Sequence, residues 1–177
     1  MCSLEQFKID LKALTDEVTP LRWELDDQFF SMLDSADLVR GGALHVSGSI
    51  RKANGFFQLD ISIDGTVTVT CDRCLEPMQL PVSTQASQVV RMAPGGEQLQ
   101  QDDIVTVDED DPVLDTAWII YENVALAIPI QHMHQPGDCN AEMMKMLKEH
   151  STARSSNGED NANDPRWDAL KGLLNNT

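Results

Sequence analysis

Apolar residues fall at every second position through much of the first half of this chain, the period of a strand with one buried face. Phe7, Ile9 and Leu11 alternate with polar neighbours, and Leu21, Trp23 and Leu25 do the same. Between them and the next strand, Phe29, Phe30 and Leu33 cluster behind Asp26 and Asp27, which predicts a short helix with an aspartate cap. Leu44, Val46 and Ile50 alternate up to Asn54-Gly55, and Phe57, Leu59, Ile61 and Ile63 alternate after it. Asn-Gly suits a two-residue type I′ turn, in which both positions take positive φ. Such a turn sets Ala53 opposite Phe56, Ile50 opposite Leu59 and Val46 opposite Ile63. All four apolar residues then share one face.

The next Gly-containing step is Asp64-Gly65. A plain two-residue loop there would turn Thr66, Thr68 and Thr70 onto the apolar face. A three-residue loop over Ile63, Asp64 and Gly65, with Gly65 left-handed, avoids this and is the turn expected. It pairs Ile61 with Val67 and Leu59 with Val69, and brings Cys71 to the inner face at the end of a third strand. A fourth strand is predicted over Val82 to Val90, before the break at Ala93-Pro94-Gly95-Gly96.

Periodicity changes in the second half. Ile104 to Val107 is a short strand. Asp115 precedes Trp118, Ile119, Tyr121, Glu122 and Leu126, a helix that Pro129 ends. Asn140 is placed to cap another helix carrying Met143, Met146 and Leu147. His150 to Asn163 is rich in Ser, Asn and Gly with almost no apolar residue, the composition of a flexible linker. Asp164-Pro165 is a strong helix start, and Trp167, Leu170 and Leu174 share a face behind it. The expected fold is α+β: a largely antiparallel sheet, curved towards a barrel, with a few helices. The expected organisation is one domain over residues 1–149, a linker over 150–163 and a C-terminal amphipathic helix over 164–177.

Charge is unevenly distributed. Thirteen Lys and Arg oppose 29 Asp and Glu, a formal net charge of −16. A uniformly basic surface for naked nucleic acid is thereby excluded. Residues 92–144 contain eleven acids and no Lys or Arg, so these 53 residues carry −11 of the total. The acidic run has no EF-hand frame. It reads either as a solvated loop or as a docking surface for a basic protein, with Asp108, Asp110 and Asp111 at its centre. Met1 to Gln6 shows neither a basic nor an apolar leader region, and no apolar run is long enough for a membrane span. The expected setting is cytoplasmic.

The sharpest local motif is Cys71-Asp72-Arg73-Cys74. A C-x2-C pair lets one tight turn present two sulfurs to one metal ion. Cys139 is the natural third ligand, and His134 or His132 the fourth, giving Cys71, Cys74, Cys139 and His134 as a zinc set. Reduced cysteines packed at a strand end explain the same residues without metal. A thioredoxin-like reading lacks the strand-to-helix setting that motif needs. No serine elbow, Gly-rich phosphate loop or HExxH helix accompanies the histidines, so no catalytic residue is expected. The Trp167 helix reads either as core folded back on the body or as a tethered recognition helix presenting Arg166, Trp167 and Leu170.

Taken together, these motifs resemble the YceD family, the large ribosomal RNA subunit accumulation proteins. The resemblance rests on Cys71-Asp72-Arg73-Cys74-Leu75-Glu76-Pro77 after a strand, an acidic loop, a helix ending in Leu126-Ala127-Ile128-Pro129, the late Cys139, and Asp164-Pro165-Arg166-Trp167-Asp168-Ala169-Leu170. It runs from about residue 43 to 174. It implies a non-enzymatic factor supporting 23S rRNA maturation or accumulation in the large subunit. Joined to the charge pattern, it points to a basic ribosomal protein or a large-subunit precursor as partner, with rRNA contact near Arg73 within the particle and no membrane. The alternative is a small zinc-binding scaffold with an unrelated protein partner.

Overall fold

Apolar side chains at Phe57, Leu59, Ile61, Ile63, Val67 and Val69 are all buried, and all are odd-numbered. That parity is the signature of one uninterrupted strand. In the computed structural model, which describes residues 4–33, 38–96 and 104–150, it is one strand, β4 (Phe56–Thr70). The three-residue loop expected over Ile63–Gly65 does not exist. Asp64 and Gly65 are mid-strand, and Val67 and Val69 pair with Leu80 and Met78, not with Ile61 and Leu59. The Asp-Gly step imitates a turn because Gly65 is there for another reason. It lies opposite Leu44, where a Cβ would run into the carbonyl oxygen of Ala43. Its φ of +152° also lies in the range that favours glycine.

The preceding hairpin forms with the predicted register. β3 (Gly41–Ala53) pairs with β4 as Ala53 with Phe56, Ile50 with Leu59 and Val46 with Ile63. The turn itself is not type I′. Among its two loop residues only Gly55 takes positive φ, at 85°, the sign pattern of a type II turn. A two-residue loop of either kind leaves the register unchanged.

β4 continues through a six-residue loop into β5 (Pro77–Ala93), well beyond the predicted Val82–Val90. The two prolines in its first part masked the strand. They are tolerated because β6 (Ile104–Asp108) covers β5 only from Val89 to Ala93, leaving a free edge upstream. With β2 (Val18–Leu25) on the far side, the sheet order is β2-β3-β4-β5-β6, antiparallel except for the parallel β5–β6 pair. The sheet is open and not closed into a barrel. Phe7 to Leu11 is not a plain strand either. A 3-10 turn ends at Phe7, and β1 (Lys8–Asp10) then pairs with β7 (Val113–Asp115), leaving Phe7 and Leu11 buried at its two ends.

Three helices complete the described residues: α1 (Asp27–Met32), α2 (Thr116–Ala127) and α3 (Ala141–His150). Each is capped as its sequence indicates. Asp26 accepts from the amides of Gln28 and Phe29, Asp115 from Ala117, and Asn140 from Glu142 and Met143. Pro129 ends α2 by holding Ile128 extended, at ψ 127°. The inner face of the sheet, the Phe7–Phe29–Phe30 rings and the buried side of α2 share one core. Thr116 joins two of these parts, since its buried hydroxyl donates to the Phe7 carbonyl at 2.6 Å.

The chain divides into two units, residues 1–144 and 145–177. Of the second, the described residues 145–150 form the latter part of α3. The predicted linker and C-terminal helix lie outside the described residues, His150 excepted. No helix among the described residues is long and apolar enough to cross a membrane.

Two substitutions test this framework. Gly65→Ala should lower unfolding stability by at least about 2 kcal/mol, through backbone strain and the clash with Ala43. If a hairpin turned at Asp64-Gly65 instead, the added methyl would point to solvent and cost far less. Thr116→Val should cost about 1–3 kcal/mol by leaving the buried Phe7 carbonyl without its donor. Urea unfolding of the full chain measures both.

Candidate metal centre

The β4–β5 hairpin closes through residues 71–76, so the C-x2-C pair is the tip of a hairpin. Thr70 and Pro77 are its last paired positions. Inside the loop the Leu75 amide bonds the Cys71 carbonyl, and the Cys71 amide bonds the Glu76 carbonyl, both at 2.9 Å. The Arg73 amide points at the Cys71 sulfur, at 3.4 Å. This curl turns both sulfurs inward. Leu75 completes it with a φ of 61°, and is the only non-glycine with positive φ among the described residues.

The other half of the site comes from the loop after α2. Its placement depends on Asp72 and His132. The Asp72 amide donates to the His132 carbonyl at 3.0 Å, and the His132 amide donates to Asp72 Oδ2 at 2.8 Å. The buried His132 ring lies with Nε2 3.5 Å from Asp72 Oδ1 and Nδ1 3.1 Å from the Pro129 carbonyl. Since a carbonyl only accepts, Nδ1 carries the proton there. A second tie joins Asn140 Nδ2 to Glu76 Oε1 at 2.6 Å. Asn140 thus caps α3 with one side-chain atom and anchors the hairpin tip with another.

Between these ties lie Cys71, Cys74, His134 and Cys139, whose ligand atoms are all within 4.8 Å of one another. Cys71 and Cys139 sulfurs are 4.0 Å apart. His134 Nδ1 is 3.3 Å from the Cys74 sulfur and 4.0 Å from that of Cys139. Zinc bonded tetrahedrally at its usual lengths sets sulfurs about 3.8 Å apart and sulfur from nitrogen about 3.6 Å. The distances fit that shape, and they are far too long for a disulfide. Of the two candidate histidines, His134 is in the group and His132 is not. His132 instead braces the loop that carries His134. Both sat at a reasonable spacing before Cys139, and nothing in the sequence distinguished ligand from brace.

Two of the three thiols are biased towards ligation. Burial pushes the Cys71 thiol up, but hydrogen bonds from the Cys74, His134 and Arg73 amides and from the Cys74 thiol outweigh this and lower it to about 6. Cys74 is lowered chiefly by the Asn140 amide, against burial, with help from the Glu76 amide and His134. Burial alone would lower His134, but its hydrogen bonds to Cys74 and Cys71 raise it. Burial and its two thiolate neighbours push Cys139 up to about 11. The four side chains form a set that could hold a metal ion, which takes cysteine as the thiolate and histidine as the neutral ring. Four protein ligands leave no open position for a substrate, the arrangement of a structural site.

The remaining candidate residues are not members of this group. Arg73 is exposed at the hairpin tip. Asp108 ends β6 and accepts the Asp110 amide at 3.0 Å, while Asp110 and Asp111 are exposed in the following loop. Lys12 reaches that loop through the Glu109 carbonyl at 2.6 Å, so part of it is tied to the N-terminal segment. Arg166, Trp167 and Leu170 lie outside the described residues. Sequence reasoning missed Asp72 and His132 as a pair, and Glu76 and Asn140 as another. Each pair joins residues 60 or 64 positions apart in the chain.

Comparison with known proteins adds one match. A family described as Large ribosomal RNA subunit accumulation protein YceD matches residues 59–174. The matched span runs from mid-β4 through the hairpin tip and the His134–Cys139 loop, and includes the Asp164-Pro165-Arg166-Trp167 segment. Neither the curated proteins nor the solved structures gave a match. With well over half of its length matched, spanning every residue of the four-ligand group, the chain belongs to the YceD family of large ribosomal RNA subunit accumulation proteins.

Proposed function

We propose that this protein is a non-enzymatic cytoplasmic factor that supports 23S rRNA accumulation and large-subunit assembly by binding a basic ribosomal protein or a precursor particle. The observation that carries the reading is the charge partition. Residues 92–144 hold eleven carboxylates and no Lys or Arg. Ribosomal proteins are strongly cationic, and one not yet on rRNA needs its charge screened. An acidic surface speeds that encounter and opposes wrong contacts. Asp108, Asp110 and Asp111 contribute to the attraction. Arg73 offers a cation for rRNA within a particle, and the C-terminal segment engages the partner with Trp167 and Leu170 as apolar anchors and Arg166 as a polar contact.

Zinc is the metal the donor set suits best, since three sulfurs and one imidazole nitrogen match its preferences. A bound ion would clamp the β4–β5 hairpin to the loop that follows α2. The chain's own part is to ease deprotonation of Cys71 and Cys74, whose thiols are lowered, and to give up on loading the proton that Cys139, pushed up to about 11, retains. The second reading, a zinc scaffold with an unrelated partner, draws on the same four residues.

Purified full-length protein should carry about one zinc per chain, and Cys74→Ser should lose it and lower the melting temperature by roughly 5–10 °C. Elemental analysis and thermal unfolding measure this, and metal-free wild type with unchanged melting would exclude the site. Zinc competes with protons at Cys139 and His134, so uptake should release protons at neutral pH. Affinity should fall as pH drops, most steeply below about 6, where Cys71 also takes up a proton. Chelator competition across pH reads this directly.

For the main reading, tagged protein should comigrate on a sucrose gradient with immature large-subunit particles or one basic ribosomal protein, and release as salt rises. Protein that stays at the top at low and moderate salt would count against it. So would strong, salt-insensitive binding to bare 23S rRNA fragments.

A further inference from the structure

The segment that leaves α2 for the metal centre carries apolar side chains in water. Leu126 is 84% exposed and Ile130 99%, and Leu75, at the hairpin tip bonded to that segment, is 63% exposed. Isolated exposed apolar residues are ordinary. These three are not isolated in the chain's architecture. Leu126 and Ile130 flank the α2 terminus, and the hydrogen bonds between Asp72 and His132 hold the loop beyond them against the Leu75 turn. Upstream on the same side of α2 stand Glu122 and half-exposed Trp118, at the i, i+4, i+8 spacing that ends in Leu126. Leu75 adds a second anomaly. It is a branched, apolar residue held left-handed in a turn where glycine would be unstrained, with its side chain turned out.

The surroundings select the occupant. From the last turns of α2 to residue 144 the chain carries Glu122, Asp138 and Glu142 with no Lys or Arg, and the hairpin tip adds Asp72 and Glu76 against the single guanidinium of Arg73. A second copy of the chain would bring these carboxylates against each other. An anionic membrane surface would be repelled by them, and an RNA backbone would find only the one cation of Arg73 to bind. A protein segment with one apolar face and flanking cations satisfies both the apolar ridge and its acidic rim.

We infer that Leu75, Leu126 and Ile130 form an apolar docking ridge beside the metal centre that takes a cationic amphipathic segment of the protein partner. The inference rests on the reading that a basic ribosomal protein is bound, and it names where the binding energy is concentrated. Exposed carboxylates attract from a distance and contribute little once screened, whereas buried apolar anchors dominate the contact.

Site-specific photo-crosslinking of the full-length protein tests it. The crosslinker is placed in turn at Leu126, at Ile130, at Asp110 in the acidic loop, and at Thr68 on the polar face of the sheet. The probe is the protein mixture stripped from purified large ribosomal subunits with high salt. The expected result is that positions 126 and 130 capture a basic ribosomal protein and position 68 does not. The paired change Leu126→Ser with Ile130→Ser, at sites too exposed to affect folding, should also cut capture from position 110 at least tenfold. Capture from position 110 that survives the paired change, with none from 126 or 130, would overturn the ridge and leave the charge-based reading standing. Capture of a second copy of the chain at 126 or 130 would likewise overturn it. Absence of any ribosomal protein at all four positions would overturn both.

Discussion

Everything the molecule presents depends on the unbroken parity of β4. Across fifteen residues the odd positions face the core and the even positions face away, and a slip of one residue anywhere would exchange the two faces. The core side of that strand is almost wholly aliphatic, and the next odd position, just past its end, is Cys71. The same parity that buries Ile63 and Val69 therefore delivers a thiol to the inner end of the hairpin. Gly65 allows the strand to pass close to β3 without a break, so the register set at Asn54-Gly55 carries through to the cysteines.

The metal centre depends on two parts of the chain that share no secondary structure. A hairpin tip offers two sulfurs, and an irregular loop offers an imidazole and a third sulfur. What aligns them is a set of hydrogen bonds outside the ligand group, from Asp72 to His132 and from Glu76 to Asn140. Because the loop starts where Pro129 stops α2, the position of the ligands is linked through that helix to the core. Thr116 and its bond to Phe7 secure the other end of the same helix. A clamp at the hairpin tip and a cap at the helix start thus act on one connected element.

Only part of the acidic segment lies near the exposed apolar residues: Glu122 stands on α2 and Asp138 and Glu142 flank the end of the ligand loop, whereas Asp108 to Asp111 lie at the far end of β5, where the Glu109 amide bonds the Ala93 carbonyl. The acidic half of the chain contains β6, β7, α2 and the ligand loop, while the described cations lie mainly in the first 91 residues and in α3. An acidic surface alone offers reach without grip. The exposed leucines and isoleucine beside the metal centre offer grip without reach.

Much of this was legible from residues alone. Period-two alternation gave the strands around Asn54-Gly55 and their register, since only one pairing puts every apolar residue on one side. Asp26, Asp115 and Asn140 marked helix starts because a side-chain carboxylate or amide satisfies amides that no helix can satisfy for itself. The four residues that the fold gathers into one Cys/His group were identifiable from residue type and spacing. The tertiary structure alone decided that Asp64-Gly65 lies inside a strand, because the need for a glycine came from Ala43 on a neighbouring strand. It likewise decided that β5 tolerates its prolines, because that depends on how far β6 reaches. And it decided that His134 joins the three cysteines while His132 braces their loop, because two residues of the same kind in one loop differ only in what the fold brings to face them.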